Sequence, residues 1–453
     1  MAAITTMELG GLIDERPEEG VFRVHRRMFT DEEIFQLEMQ HIFEGSWVFI
    51  AHESQIPNPN DFITTYIGRQ PIILTRTRNG DLKALLNACA HRGSALELAR
   101  AGNKKLFVCP FHGWSFENNG KIVSCGETPT AGYGPGFRKE DHDLRQAPKV
   151  ESYRGFIFGS LNPDVPALPD YLGSAKAFID LIVDQDPNGE IEVLPGSHSY
   201  TYDGNWKLQA ENGVDGYHVN MIHGNYVLTQ DNRQRIANGR EVTTAVDVGN
   251  FSRFSGGYYA LDNGHVVLWN ESPNPEVRPA HASRDRLVDK FGEDRAKWMT
   301  DCWRNLFLYP NLFLMDQMSS QIRMFRPLAV DKTLVTAFCF APKSEAPELR
   351  AKRLRQYEDF FNATGMATPD DLAAFNATQQ GFKARDAEWS DVSRGSLNLV
   401  KGVDERARSL GIAPQFGGTQ LQDEGIYLNQ HRKWLSLLSK GLKSSASSSE
   451  GSL

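Results

Sequence analysis

The pattern of apolar and polar positions changes character near residue 45. Before that point, Thr30 and Glu33 match a capping box and Ile34 and Leu37 fall on one face, which predicts a helix that begins at Thr30. From about residue 45 to residue 165, β-branched residues alternate with polar ones, as in strands with one buried face. The sequence therefore predicts a helical segment followed by a small antiparallel β domain.

Asn-Gly pairs indicate hairpin turns in the β region. Asn79-Gly80 and Asn119-Gly120 each separate two alternating runs. Beyond the Pro-rich stretch LNPDVPALPD, helical patterns such as LGSAKAFIDLIVDQ mix with strand patterns such as LVTAFCF, and the serine-rich end is typical of disorder. The predicted organisation is a helical segment (1–44), a β domain (45–165), a mixed domain (166–440) and a disordered tail (441–453).

Composition restricts the partners of the chain. Its 453 residues are too many for one simple core, which favours two domains. A formal net charge of −8 with 23% charged residues gives no basic field, so neither nucleic acid nor membrane is an expected partner. No apolar run approaches the roughly 20 residues that span a bilayer, and the acidic start lacks a signal-peptide pattern, so a cytoplasmic location is predicted. The five cysteines are expected to be thiols or ligands.

Two cysteines and two histidines between residues 87 and 116 form the first candidate metal site. Cys89 and His91 are spaced C-x-H, and Cys109 and His112 are spaced C-x2-H. Each loop contributes one thiolate and one imidazole, whereas structural zinc loops usually group cysteines as C-x2-C. Both cysteines can bind one iron and both histidines the other, which is the ligand set of a Rieske [2Fe-2S] centre. A zinc ion and four unrelated loop residues are the alternatives.

A second candidate site lies in NWKLQAENGVDGYHVNMIHGNY, where Asn212, Asp215, His218 and His223 are close together. Histidines five apart diverge by about 140° on an ideal helix, so a wide turn or a helix broken near Gly224 is needed to bring both rings to one metal. The spacing and the missing glutamate exclude the H-E-x-x-H zinc protease arrangement. Asp215 is within reach of the other ring nitrogen of His218. Two histidines on a polar helix are otherwise ordinary surface or core residues.

The two motifs together resemble those of the catalytic α subunit of the Rieske non-haem iron ring-hydroxylating dioxygenases. The likeness extends through WVFIAHESQIPNPNDFITT, SHSYTYDGNWKLQAENGVDGYH and FFNATGMATPDDLAAF, and it is greatest for the benzoate, toluate and anthranilate branch. It implies an α+β fold, in which a Rieske antiparallel β domain is joined to a helix-grip catalytic domain with a central antiparallel sheet, and residues 1–44 belong to the catalytic domain. It also implies a 2-His-1-carboxylate Fe(II) site with His218 and His223 as ligands.

The third iron ligand is expected far along the chain, at an acidic pair before a helix. Asp370 and Asp371 in ATPDDLAAF match that pattern, and the resemblance favours Asp371. The residues by themselves indicate an ordinary helix start, with Thr368 as N-cap, Pro369 in the first turn and two acids after it.

The resemblance also implies the partners. Three α subunits form a ring, alone or with a small β subunit as α3β3, and the cluster of one subunit serves the iron of its neighbour. Asp215 would bridge the two centres by hydrogen-bonding to His91 or His112 across the interface. The chain has no flavin or nicotinamide fingerprint, so electrons are expected from NADH through a separate reductase or ferredoxin.

The substrate is less narrowly defined by the sequence. The branch implies cis-dihydroxylation of a benzoate-type acid by O2, with benzoate, anthranilate, salicylate and substituted benzoates all open, and mono-oxygenation also open. Arg323 and Arg326 are candidates for a carboxylate contact and stay unassigned. Gly224 follows His223 where this branch commonly has a bulky aromatic residue, so a reshaped pocket is expected. The alternatives are an oxygenase for a neutral arene such as an aniline and a Rieske electron carrier without oxygenase chemistry.

Overall fold

The computed structural model describes residues 4–126, 132–236 and 253–450, and its backbone divides into two compact units. We call Met39–Leu168 the small unit, and Met1–Glu38 together with Pro169–Leu453 the large unit. The sequence predicted the corresponding borders after residues 44 and 165. Among the helices within the described ranges, none has the length and apolar character that a membrane span requires.

The N-terminal segment of the large unit mixes short helices with a hairpin. Its elements are α1 (Thr6–Gly10), β1 (Ile13–Arg16), β2 (Val21–His25), α2 (Arg27–Thr30) and α3 (Glu32–Glu38). Strands β1 and β2 pair antiparallel.

The helix predicted to begin at Thr30 is in fact divided at that point. Helix α2 ends at Thr30, and α3 begins at Glu32. The Oδ1 atom of Asp31 accepts the backbone N–H groups of Glu33 at 3.0 Å and Ile34 at 3.3 Å. Asp31 therefore fills the capping role that was predicted for Thr30, because its carboxylate satisfies amides that have no partner within the helix.

The small unit consists of antiparallel sheets. Its strands are β3 (Val48–His52), β4 (Asp61–Ile67), β5 (Gln70–Arg76), β6 (Leu82–Leu86), β7 (Ala101–Asn103), β8 (Leu106–Val108), β9 (Trp114–Glu117), β10 (Ile122–Cys125), β11 (Lys149–Tyr153) and β12 (Phe156–Ser160). The strand orders are β6-β5-β4-β7, β10-β9-β8 and β11-β12-β3.

Both predicted Asn-Gly hairpins are confirmed. Asn79-Gly80 joins β5 to β6, and Asn119-Gly120 joins β9 to β10. Gly80 has φ 93° and Gly120 has φ 92°, a backbone region that is costly for residues with a Cβ atom. Side chains from both hairpins pack into one core with Phe62, Phe107 and the predicted structural thiol of Cys125.

The large unit is built around an antiparallel sheet. Its remaining strands are β13 (Ile191–Val193), β14 (His198–Tyr202), β15 (Gly256–Ala260), β16 (Val266–Glu271), β17 (Cys302–Leu308), β18 (Leu312–Asp316), β19 (Ser320–Ala329), β20 (Lys332–Pro342), β21 (Trp389–Asp391) and β22 (Phe416–Gly418). The sheet has the order β13-β20-β19-β18-β17-β16-β15-β22, with β14 also paired to β20. Every residue of β17 and β18 is buried, which identifies these strands as the centre of the sheet, covered on both faces.

The remaining helices begin at residue 168. They are α4 (Leu168–Leu172), α5 (Lys176–Val183), α6 (Trp206–Asn212), α7 (Val219–Ile222), α8 (Gly224–Ile236), α9 (Arg284–Phe291), α10 (Glu293–Thr300), α11 (Pro347–Phe360), α12 (Thr368–Gly381), α13 (Glu405–Ser409) and α14 (Tyr427–Glu450). The combination of helices with antiparallel sheets is the α+β class predicted from the sequence.

The C-terminal helix differs from the prediction. Helix α14 continues to Glu450, although the sequence predicted disorder from residue 441. Once the apolar turn around Trp434 and Leu438 is buried, each further residue adds a hydrogen bond without a new nucleation cost, so helix extends into the serine-rich end. Residues 451–453 lie outside the described ranges.

A buried acid holds α6 in place within the large unit. Glu38, at the end of α3, is fully buried and accepts the indole N–H groups of Trp206 at 2.7 Å and Trp434 at 2.6 Å. The ammonium group of Lys207 pairs with the same carboxylate. These contacts connect α3 and α14 to the helix that leads into the second candidate site.

Candidate metal centres

The loop that carries Cys89 and His91 is closed by two backbone hydrogen bonds. The N–H of Cys89 donates to the carbonyl oxygen of Ser94 at 2.8 Å, and the N–H of Gly93 donates to the carbonyl oxygen of Cys89 at 2.8 Å. Gly93 has φ 77°, which a side chain would make costly. The tight turn leaves the Cys89 side chain buried and the His91 ring exposed.

The loop that carries Cys109 and His112 has the same backbone pattern. The N–H of Cys109 donates to the carbonyl oxygen of Trp114 at 2.7 Å, and the N–H of Gly113 donates to the carbonyl oxygen of Cys109 at 3.0 Å. Gly113 has φ 72°. Cys109 is buried and His112 is exposed, as in the first loop.

The two loops bring all four predicted donors of the small unit together. Cys89 and Cys109 are each 3% exposed and their thiols contact each other. The rings of His91 and His112 lie with centroids 4.6 Å apart, and His91 stacks on Trp114 at 5.0 Å with an interplanar angle of 7°. Two inward thiols and two outward imidazoles suit a [2Fe-2S] cluster bound at the end of the unit.

The surroundings of the two sulfurs differ. Burial raises the pKa of the Cys89 thiol. At Cys109 burial acts in the same direction, but the backbone N–H groups of Phe111 and His112 outweigh it and lower the pKa. Amides directed at a sulfur stabilise its thiolate, which is the form that binds iron. Cys125 lies on β10 opposite Trp114, and burial raises its pKa.

In the large unit, a break between α7 and α8 brings His218 and His223 together. His218 precedes α7, and His223 lies between the two helices with the non-helical dihedrals φ −98° and ψ 17°. The Nε2 atoms of the two rings are 3.2 Å apart. The chain is therefore broken where the sequence required it, at the residue before Gly224.

Asp371 completes a group of three donors. Its Oδ1 atom lies 3.6 Å from His218 Nε2 and 3.4 Å from His223 Nε2, and the three donor atoms are all within 4.8 Å of one another. Asp370, the other candidate, is not part of this group. Two imidazoles and one carboxylate on one side of a pocket suit a facial non-haem iron site.

The start of α12 positions Asp371, but not in the predicted way. Ala367 is the N-cap residue and makes no side-chain cap. Thr368, predicted as N-cap, is inside the helix, and its hydroxyl donates to the carbonyl oxygen of Phe361 at 3.1 Å. This bond ties the helix start to the residue that follows α11, so the loop between the two helices helps to fix the first turn of α12.

Asp215 and Asn212 surround the three donors. The Oδ2 atom of Asp215 lies 3.0 Å from His218 Nδ1, and the Nδ2 atom of Asn212 lies 3.3 Å from Asp371 Oδ1. Burial lowers the pKa of His218, but Asp215 and Asp371 together outweigh it and the net shift is upward. Burial also lowers the pKa of His223, and there it prevails. Asp215 thus orients His218 through the nitrogen that faces away from the other donors.

The group faces a pocket whose empty space, including the part open to solvent, is about 630 Å³. One wall is a face of the sheet, where Leu268, Asn305 and Met315 form a row across β16, β17 and β18. The sequence did not identify these residues, because buried strands give no signal for which side chains face a cavity. Arg323 also lines the pocket, whereas Arg326 and Gly224 are not among its lining residues.

Comparisons with known proteins agree with this geometry. Residues 46–146 match the Rieske [2Fe-2S] domain, and residues 193–410 match the ring hydroxylating alpha subunit (catalytic domain). The chain is 47% identical over 437 residues to the 2-halobenzoate 1,2-dioxygenase large subunit of Burkholderia cepacia, which covers 96% of this chain and 93% of that protein. It is 48% identical over 444 residues to the toluate 1,2-dioxygenase subunit alpha of Pseudomonas putida, with 97% of both chains covered.

A solved structure is similar as well. Naphthalene 1,2-dioxygenase from Rhodococcus sp. bound to indole matches with a TM-score of 0.79 and 26% identity, over 92% of this chain and 94% of that one. The chain therefore belongs to the large (α) subunits of the Rieske non-haem iron ring-hydroxylating dioxygenases, which are oxidoreductases. The predicted family, fold class, enzyme class and cofactors are confirmed, and the electron-carrier and zinc alternatives are wrong for a chain of this family.

Proposed function

We propose that this subunit uses O2 to cis-dihydroxylate the ring of a benzoate-type aryl carboxylate. The observation that carries the proposal is the donor group of His218, His223 and Asp371 on the wall of a pocket that apolar and aromatic side chains also line. The halobenzoate, toluate and anthranilate enzymes among the relatives support a ring that bears a carboxylate.

The donor assignments are part of this proposal. Cys89, His91, Cys109 and His112 hold the [2Fe-2S] cluster in a Rieske domain at 45–165, and His218, His223 and Asp371 hold Fe(II) in a catalytic domain formed by 1–44 and 166–440. When bound, these groups supply one-electron transfer and the activation of dioxygen. The protein residues orient the donors, exclude water from the pocket and position the ring of the substrate.

Asp215 has a second proposed role in the assembly. One of its carboxylate oxygens lies 3.0 Å from His218 Nδ1. We propose that the Asp215 carboxylate also accepts a hydrogen bond from a cluster histidine, His91 or His112, of the neighbouring subunit in an α3 or α3β3 ring. A small β subunit and a reductase or ferredoxin that passes on electrons from NADH complete the proposed enzyme, in the cytoplasm.

A single-turnover experiment tests the reaction. The purified, iron-loaded protein is reduced chemically without oxygen, mixed with benzoate, anthranilate, salicylate or aniline, and exposed to ¹⁸O2 before mass spectrometry. Two ¹⁸O atoms in the product formed from one of the acids support dihydroxylation, and one ¹⁸O atom indicates mono-oxygenation. Product from aniline alone contradicts the aryl carboxylate assignment.

His218→Ala tests the assigned iron site against the cluster of the small unit. This variant keeps the small unit intact, so its cluster spectrum should equal that of the wild type while product formation is lost. If both the spectrum and product formation survive, the assigned iron site is wrong.

A further inference from the structure

Four arginines are buried among the described residues, and all are in the large unit. Their exposed fractions are 3% for Arg278, 1% for Arg304, 4% for Arg323 and 2% for Arg353. A buried guanidinium is unfavourable unless a carboxylate or a set of hydrogen-bond acceptors compensates its charge. The partners of these four residues therefore indicate what each one does.

Three of the four have carboxylate partners. Arg278 and Arg304 both pair with Asp316, with 2.9 Å between Arg278 Nη2 and Asp316 Oδ1. Arg353 pairs with Glu345, with 3.0 Å between Arg353 Nε and Glu345 Oε2. These arginines are compensated within the folded chain, as is usual for buried charges.

Arg323 is the exception. Its Nε atom donates to the amide oxygen of Gln321 at 2.9 Å, and its guanidinium carbon lies 5.8 Å from the centre of the Phe361 ring. Within 4–126, 132–236 and 253–450, no carboxylate oxygen comes within the 4.0 Å that defines an ion pair with Arg323. Neutral amide and ring contacts do not cancel its charge.

The position of Arg323 explains why its partner is missing from the chain. The residue lies on β19 and lines the same pocket as His218, His223 and Asp371. The carboxylate of Asp371 is already directed at the two histidines. A divalent ion held by this group would add two positive charges to a lining that already holds Arg323, Asp215 and Asp371, so the loaded pocket would favour an anionic ligand.

The apolar part of the pocket indicates what the anion is attached to. Leu268, Met315 and Phe360 line the pocket together with Phe361, beside which Arg323 is placed. A flat ring fits among these side chains, and a carboxylate on the ring matches the two-pronged donor geometry of a guanidinium.

We propose that Arg323 is the specificity-determining residue that binds the carboxylate of the substrate. The inference rests on the proposed function and deepens it, because it names the group that selects an aryl acid over a neutral ring. Arg323 positions the ring over the donor group and compensates its own buried charge only when the acid is bound.

The experiment compares benzoate with benzamide, which has the same shape and no charge. The assembled enzyme with its reductase is assayed as wild type, Arg323→Gln and Arg326→Gln, and benzoate binding is also measured by calorimetry. Arg323→Gln should lower kcat/KM for benzoate by roughly 100-fold, mainly through KM, since a buried carboxylate then lacks its partner, while benzamide should change less than about threefold. Arg326→Gln, on the same strand and away from the pocket, should keep the wild-type ratio of benzoate to benzamide.

The outcomes separate the two proposals. A wild type that oxidises neither compound nor any other aryl acid contradicts the proposed function. A wild type that oxidises benzoate, with an unchanged benzoate to benzamide ratio in Arg323→Gln, overturns the role of Arg323 alone. If Arg323→Gln lacks the cluster spectrum or iron, Arg323→Lys replaces it. The lysine variant keeps the charge but not the two-pronged geometry, so a roughly tenfold weaker binding of benzoate is expected, and wild-type binding overturns the inference.

Discussion

The two candidate metal centres of this subunit are assembled in different ways. In the small unit, Cys89 to His112 lie on two successive loops with the same backbone hydrogen bonds and the same left-handed glycine. In the large unit, Asn212 and Asp371 are 159 positions apart in the chain and 3.3 Å apart in space. The first site is a product of local turns, and the second exists only when distant helices pack together.

The two sites also differ in exposure. His91 and His112 are exposed, whereas His223 is 3% exposed and faces a pocket. An exposed cluster edge can exchange electrons with another protein, because a docked partner can bring its own redox centre close to the cluster. A buried donor group instead keeps water away from a reaction. The difference predicts that a mutation in one site abolishes metal binding there and leaves the other site intact.

The largest effect is expected from substituting Asp371, which is far in the chain from the histidines that it meets. Asp371→Asn should lose iron from the large unit and lower product formation at least about a thousandfold, equivalent to roughly 4 kcal/mol of barrier, while the cluster spectrum is unchanged. Asp370→Asn is the matched control and should retain iron, because Asp370 is outside the donor group. Iron analysis and cluster spectroscopy on the same samples test both. The reverse result would make Asp370 the ligand.

A structural histidine of the large unit gives the next largest effect. The neutral ring of His265 is fully hydrogen-bonded, since Nδ1 accepts the N–H of Tyr309 at 3.0 Å and Nε2 lies 3.0 Å from the carbonyl oxygen of Tyr171. Burial lowers the pKa of His265 from 6.5 to about 3. The unfolded chain therefore takes up a proton that the folded chain refuses, and folding stability falls as the pH is lowered from 6.5 towards 3.

The expected loss over this pH range is on the order of 4 kcal/mol. His265→Gln removes the titrating group, so urea unfolding of the variant should depend less on pH in this window than that of the wild type, although its stability near pH 7 is lower. Equal pH slopes for the two proteins would contradict the assigned pKa. Since both carry His218 and His223, the difference in slope isolates His265.

Substitution of Asp215 tests its contact with His218 Nδ1. Asp215→Asn keeps the shape and removes the charge next to His218 Nδ1, so iron affinity should fall about 10- to 100-fold. Titration of the metal-free protein with Fe(II) measures this change. An unchanged affinity combined with slower cluster oxidation would assign Asp215 to electron transfer between subunits alone.

The smallest effect is expected from substituting two glycines, one that needs a left-handed backbone and one that does not. Gly93→Ala forces a residue with a Cβ atom to adopt φ 77°, and we expect the small unit to lose about 1 kcal/mol of stability. Gly224→Ala is the control beside His223, where a Cβ atom would meet nothing within 4 Å and no left-handed φ is required. It should be neutral or slightly stabilising because alanine favours helix. Thermal unfolding followed by cluster absorbance and by circular dichroism compares the two.

The sequence predicted best those features that depend on residues close together in the chain. Both Asn-Gly hairpins and the need for a break near Gly224 follow from residues within a few positions of each other, whereas the α+β class was implied by the family resemblance. The predictions that were wrong concern boundaries. Thr30 and Thr368 match the N-cap preference equally well by residue type, but Asp31 makes the cap of α3, and Thr368 bonds to Phe361 instead.

The sequence by itself determined the two donor motifs and the family, because loop spacing and residue type are local properties. Asp371 was favoured only by the family resemblance, and the tertiary structure is what shows that it rather than Asp370 meets the histidines and that Arg323 rather than Arg326 lines the pocket. Neighbouring residues on a helix point about 100° apart, and the packing of the sheet decides which strand positions meet a cavity. Such choices depend on contacts between segments far apart in the chain, which no pattern along the chain records.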